Sequence, residues 1–206
     1  RIGNPEELKV KLPYSGVNDK ASFGVPQNLY IIGTMNSADR SIALIDTALR
    51  RRFTFIEYSA DYSLLSNNVE GINIQELLKA INSRIEILLD KDHKIGHAYL
   101  INIKSKNQLC DAFRNKIVPL LEEYFYGDYE KIQLVFGDNP EFNKNKESRV
   151  ITNNQSSDQR QLFGKEIDGF EEKIIYQVND KISFQKYEDI QADFFTSIYT
   201  KSPKAE

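Results

Sequence analysis

The sequence predicts an α+β fold: a partial α/β sheet remnant, then a mostly helical segment, then a small C-terminal strand and helix extension. Three observations predict it. Leu29-Tyr30-Ile31-Ile32-Gly33-Thr34-Met35 is a continuous apolar run, the pattern of a strand buried on both faces of a sheet. From Asn73 onward, apolar residues recur at helical spacing behind capping residues. Near the C-terminus, Lys173–Val178 reads as a strand and Tyr187–Tyr199 as a closing helix.

In chain order, the stretch through Gln27 is rich in turn formers (Pro13, Gly16, Gly24, Pro26) and predicts loop with one short strand. The sheet remnant follows. After the apolar run, Ser41 caps a short helix to Arg50 carrying Ile42, Ile45 and Leu49, and Phe53–Tyr58 has the aromatic and β-branched content of a strand. This strand, helix, strand order is a βαβ unit in miniature.

Asn73-Ile74-Gln75-Glu76 is a capping-box pattern with Ile72 and Leu77 placed as a staple, and Leu78, Ile81, Ile85 and Leu88 continue one apolar face. A second helix starts at Ser105, with Gln108 three on, and runs through Leu109, Phe113, Ile117, Leu121 and Tyr124, with a kink expected at Pro119. Between the two, Gly96–Ile101 reads as a loop entering a short extended piece. A third short helix spans Tyr129–Phe136 and ends at Gly137. Asp138–Arg160, rich in Asn, Lys, Ser and Gln, reads as a loop or mobile linker with little to bury. The implied division is 1–60 for the sheet remnant, 61–137 for the helical part and 138–206 for polar loop and extension.

The 206 residues are 40% hydrophobic and 28% charged, a composition that suits a globular chain with a sizeable core. Lys plus Arg number 27 against 30 Asp plus Glu, so no bulk positive field draws in nucleic acid and any DNA contact needs a local patch. One cysteine, Cys110, excludes an intrachain disulfide; it and two histidines without metal-ligand spacing predict no metal site. No apolar run approaches the roughly 18 residues of a membrane span, so no membrane partner is expected and the cytoplasm is the simplest location. The opening Arg1-Ile2-Gly3 carries no initiator methionine and reads as a cut in a longer protein.

Chemistry concentrates in Ile31–Arg40 and in the triplet Arg50-Arg51-Arg52. A buried strand that ends in polar residues delivers them to the carboxyl edge of a sheet, where ligands of open α/β folds bind. Asn36 would stand there, and a neutral amide can donate and accept at once to orient a water beside a phosphoanhydride. In the following turn, Asp39 offers a carboxylate for that water or for a partner arginine, and Arg40 a guanidinium that reaches phosphate oxygens. Adjacent arginines at about 100° per residue cannot all face one point of a helix, so at most two of the triplet serve one anion. The plainer alternative makes Asn36 and Asp39 turn formers and the triplet a solvated basic face.

These segments resemble the McrB family of AAA+ motors, nucleotide-driven subunits of 5-methylcytosine-specific restriction systems. Met35-Asn36-Ser37-Ala38-Asp39-Arg40-Ser41 matches the family's Met-Asn-x-x-Asp-Arg-Ser segment, and Ala48–Phe53 its arginine segment. Ile95–Tyr99 and Ile117–Phe125 resemble its C-terminal part, so the likeness spans about Pro26 to Gly137. The resemblance implies that Asn36 is the sensor-1 residue, that Asp39 positions water with it, and that Arg40 supports that network. It implies that Arg51 and Arg52 are arginine fingers toward a neighbouring subunit, with Arg50 structural or beside the nucleotide.

The helices from Asn73 would then be the AAA+ lid, with His97 or Lys94 standing near a second sensor. GTP, or ATP, with Mg²⁺ would serve the full-length parent, a ring of copies that powers DNA translocation for cleavage by a McrC-like nuclease. No Gly-x-x-x-x-Gly-Lys-Ser/Thr phosphate loop occurs in the sequence, and no apolar strand ending in Asp-Glu precedes Met35. This chain alone is therefore expected to bind nucleotide weakly and to be inactive. Two competing readings are a MoxR-like AAA+ remodelling ATPase, and a DNA or protein interaction module without catalysis.

Overall fold

The computed structural model describes residues 5, 7–13, 22–36, 38, 51–154, 163–165 and 174–200. The chain divides into two units, Arg1–Ile42 and Ala43–Glu206.

In the first unit, Val10 and Phe23 form an isolated antiparallel bridge, each N–H donating to the other's carbonyl at 2.9 and 2.8 Å. It answers the short strand expected before Gln27. Residues 29–36 carry no assigned strand, and Ile32 is 94% exposed. This corrects the expectation of a strand buried on both faces. Such a strand is held by neighbours on each side, and the sheet formed among the described residues lies elsewhere in the chain. Phe53–Tyr58 likewise joins no strand and is exposed, while the helix expected over Ser41–Arg50 falls on residues 41–50, outside those described.

The second unit is ordered around one core. Val69 and Ile72 exchange backbone hydrogen bonds across Glu70 and Gly71, both at positive φ, a two-residue turn in which glycine meets no steric penalty. The turn sets Ile72 just before helix α1, Ile74–Leu88. Ile72 and Leu77 are both fully buried, as the staple requires. The Asn73 side chain accepts from the Glu76 N–H at 3.2 Å. The reciprocal half of the capping box is made differently: the Asn73 N–H donates to the Tyr199 hydroxyl at 3.0 Å, and Glu76 pairs with Lys79.

Helix α2, Lys106–Ala112, is capped by Ser105 and runs into a π turn at Phe113–Ile117, followed by α3, Val118–Tyr124. The kink expected at Pro119 is thus a π turn just upstream. Proline donates no N–H to the preceding turn and its ring crowds the carbonyl four back, which a widened turn relieves. Cys110 is buried in α2, and burial pushes its thiol up to about 12, so it is an inert packing group.

Helix α4, Tyr129–Phe136, is capped by Asp128 and stopped by Gly137 at φ 67°. The Gly137 N–H donates to Leu134 and the Asp138 N–H to Gln133, a Schellman ending.

Residues 138–154 correct the reading of a loop with little to bury. Asp138, Asn143, Ser148, Arg149, Val150 and Ile151 are all buried, and Ile151–Asn154 is strand β1. It pairs antiparallel with β2, Ile175–Val178, in the register Ile151 opposite Val178. Polar residues are buried here because their hydrogen bonds are made internally. Asp138 Oδ2 accepts from the N–H groups of Val150 and Ile151 at 2.7 and 2.9 Å, and Asn179 Nδ2 donates to the Arg149 carbonyl at 2.9 Å.

Two further helices close the unit: α5, Asp180–Ser183, and α6, Asp193–Thr200. The closing helix expected over Tyr187–Tyr199 therefore splits into a 3₁₀ turn at Tyr187–Asp189 and α6. Phe194, Phe195 and Ile198 of α6 join the core of α1, and the Phe113 ring lies 5.6 Å from Phe136 and 5.0 Å from Phe195. The observed class is the expected one, helices with a small two-stranded sheet. No helix among the described residues is long and apolar enough to cross a membrane.

Candidate functional site

Asn36 is exposed, and its Oδ1 accepts from the Ala38 N–H at 3.2 Å. That contact is a local Asx turn, the role a turn-forming asparagine takes. It leaves the Nδ2 donors uncommitted among the described residues, so the amide can still donate to a phosphate oxygen or a water. Asp39, Arg40 and Arg50 lie outside the described residues.

Arg51 and Arg52 sit in a turn ahead of the extended segment at 54–60 and are exposed. Neither makes a hydrogen bond or ion pair among the described residues, and none joins them to His97. Arg51 and Arg52 stand on a turn, so the divergence expected of adjacent arginines on a helix does not arise for these two. Two uncommitted guanidinium groups side by side at a chain reversal can reach an anion that the chain itself does not bury.

His97 opens the 3₁₀ turn His97–Tyr99. Its Nδ1 accepts from the Asp61 N–H at 3.0 Å, which assigns the proton to Nε2. Asp61 in turn caps the 3₁₀ turn Tyr62–Leu64 through Ser63, whose hydroxyl, ahead of its N–H and of His97, holds the Asp61 carboxyl below its usual range. The imidazole thus ties the chain approaching the helical part to the loop after α1. Lys94, the other candidate, is bound to Glu86 at 2.6 Å, and that hydrogen bond raises its pKa. Of the two, His97 keeps a free donor face.

Sequence reasoning missed the residue that fixes this loop. Asn82, buried in α1, accepts from the Ile95 N–H at 2.7 Å and donates from Nδ2 to the Ile95 carbonyl at 2.9 Å and to the Tyr62 hydroxyl at 3.1 Å. Asn82 thereby fixes Ile95, two residues before His97. A signal was present: Asn82 is a polar residue on the face shared by Leu78, Ile81 and Ile85.

Arg84, half-buried on the same helix, also escaped notice. It donates to the carbonyls of Val135 and Ile198 at 3.0 and 2.8 Å, linking α1 to α4 and α6.

Residues 73–133, from the Asn73 cap through most of α4, match the family described as McrB, alpha-helical lid domain. The chain is 37% identical over 147 aligned residues to the Type IV methyl-directed restriction enzyme EcoKMcrB subunit of Escherichia coli K12, covering 62% of this chain and 32% of that protein. Over residues 73–133 the chain belongs to the McrB lid-domain family. It is also 30% identical over 124 residues to the Type II restriction enzyme BsuMI component YdiS of Bacillus subtilis 168, covering 54% of this chain and 35% of the relative.

The chain spans about a third of the length of the curated relatives it matches. The α1–α4 array is accordingly a McrB-type lid, and the internal clamp of Asn82 and the cap of Asn73 are features of that lid. The matched lid ends at Gln133, whereas the core continues into β1 and α6.

Proposed function

We propose that this chain is the sensing and completing part of a McrB-like AAA+ motor, and that the longer protein hydrolyses GTP, or ATP, with Mg²⁺ to drive DNA translocation for cleavage of modified DNA by a McrC-like nuclease. The observation that carries the reading is the McrB-type lid, preceded in the same chain by the Met35–Ser41 and Ala48–Phe53 segments.

The residues in hand fit peripheral contacts to a nucleotide. The Asn36 amide has free donors, and Arg51 and Arg52 have free guanidinium groups. Gripping the phosphates and the metal falls to a phosphate loop that this sequence does not contain. Mg²⁺, when bound in the longer protein, neutralises charge on the phosphate oxygens. Asn36 orients the attacking water by accepting a hydrogen bond from it and donating to the phosphate side, with Asp39 as the second acceptor and Arg40 fixing that carboxylate. Arg51 and Arg52 donate across a subunit boundary to oxygens of the neighbour's nucleotide, and Arg50 holds the turn. His97, with Nε2–H uncommitted among the described residues, is the lid's candidate for the second sensor.

The test is turnover by the longer protein. Arg51→Ala or Arg52→Ala is expected to lower kcat by about 10³-fold or more, the range of trans-acting arginines, with nucleotide binding and the far-ultraviolet spectrum retained. Turnover within a few-fold of wild type would refute the finger roles.

A further inference from the structure

Outside the lid's matched residues, the segment after α4 builds a polar cavity of about 420 Å³ between the 3₁₀ turn Lys146–Ser148, β1, β2 and α5. Its floor is Arg149, only 2% exposed. Arg149 Nε and Nη2 both donate to the Asn143 carbonyl, and Nη1 donates to nothing among the described residues. The nearby buried carboxylate is Asp138, whose charged form Arg149 favours without a direct ion pair among the described residues. Burial of Asp138 pushes its carboxyl toward the neutral form, so it compensates the Arg149 charge only in part, and an anion in the cavity would add to that compensation.

The backbone beneath is rigid, because Asn179 Nδ2 donates to the Arg149 carbonyl and the Asn179 N–H to the Val150 carbonyl. Lys146 and Lys186 line the cavity and are exposed, so both ammonium groups are free to turn inward. Lys181 is already neutralised by Glu147 at 2.8 Å. Three carboxylates also line it, Glu147 paired with Lys181, and Asp180 and Asp189.

We propose that this cavity binds a phosphate-bearing ligand whose body carries hydroxyl or amino donors, the class of a nucleotide, either free or as one unit of a strand. Arg149 Nη1 with Lys146 and Lys186 gathers three positive donors on one tetrahedral oxyanion. Asp180 and Asp189 accept hydrogen bonds from the ligand's own donors, which a bare anion lacks. The volume exceeds what a lone carboxylate needs.

The experiment titrates the 206-residue chain by calorimetry with inorganic phosphate, a nucleoside monophosphate and a five-nucleotide single strand, with acetate as competitor. Saturable one-to-one binding is expected. The rim double variant Lys146→Ala/Lys186→Ala should weaken it about tenfold or more, since each removes a charge-assisted hydrogen bond. Arg149→Met should abolish it, and if that variant misfolds by circular dichroism the rim variant decides alone.

A monophosphate that binds while the strand does not identifies a free ligand. A strand that binds tighter than the monophosphate identifies a strand unit, and either result supports the site. Absence of saturation with all three probes, affinity unchanged in the rim variant, or acetate competing as well as phosphate overturns the proposal.

Discussion

Burial pushes the Asp138 carboxyl up to about 7, against the N–H groups of Ile151 and Val150, then Asn143 and Arg149, which favour the charged form. Oδ1 is buried without a hydrogen bond of its own. The ordinary value is 3.8, so between about 3.8 and 7 the folded chain holds a proton that the unfolded chain has released. This group's contribution is complete below that window, falls as pH rises through it, and levels off above about 7.

At about 1.4 kcal/mol per pKa unit, the loss amounts to a few kcal/mol. Asp138→Asn keeps an acceptor for the two N–H groups and carries no charge. Calorimetry should show a shallower fall in Tm between pH 5 and pH 8 for Asp138→Asn than for wild type. Parallel slopes would show that the carboxyl stays charged throughout.

At this scale the sequence was legible where a residue acts on its own neighbours. Asn73 and Ser105 each cap the helix that follows, and their spacing announces it. Asp138 and Arg149 act on backbone groups brought near by the fold, so composition reads them as solvated loop. The site residues divide the same way. Asn36 and the arginines announce themselves by motif, while the Asn82 clamp on Ile95 depends on a contact 13 residues away.

Among the elements, α4 and its ending give the sharpest expectation. Gly137 sits at φ +67°, and a Cβ there would lie 3.0 Å from Arg84 Nη2 and 3.2 Å from Cζ. The Arg84 head cannot swing away freely, because it donates to the carbonyls of Val135 and Ile198. Gly137→Ala therefore combines a left-handed backbone penalty of roughly 1–2 kcal/mol with displacement of that anchor. A thermal melt should show Tm lowered by several degrees, and an unchanged Tm would mean that Arg84 is not held as described.

Helical periodicity and caps made α1 and α4 readable. The strand at residues 29–35 was read from an apolar run whose meaning depends on flanking strands. The described residues supply no such ladder, and the run stands exposed.

Taken as a whole, the second unit joins the McrB-type lid and the segment after it through one core. Val150, Ile151, Phe194, Phe195 and Ile198 are all buried to 1% or less against lid residues such as Phe113 and Phe136. Each such side chain contributes on the order of 1.5–3 kcal/mol when fully buried, so five of them rival the 5–15 kcal/mol of a typical domain. Truncation after Gly137 should abolish cooperative unfolding of the lid in a denaturant melt; a truncated chain with the full-length midpoint would show the lid to be self-sufficient. The division at 137 expected from composition follows a change in polarity, whereas packing crosses it, as the bond from Asn73 to Tyr199 illustrates.

In the proposed motor, Asn36 acts on its own subunit's nucleotide and Arg51 and Arg52 on the neighbour's. The most direct measurement mixes two inactive forms of the longer protein, Asn36→Ala and Arg51→Ala/Arg52→Ala, and follows nucleotide hydrolysis. In a head-to-tail ring mixed at random one to one, half the subunits retain Asn36 and half of their neighbours retain the arginines, so recovery of about a quarter of wild-type turnover is predicted. Mixtures that stay inactive at every ratio would contradict the account.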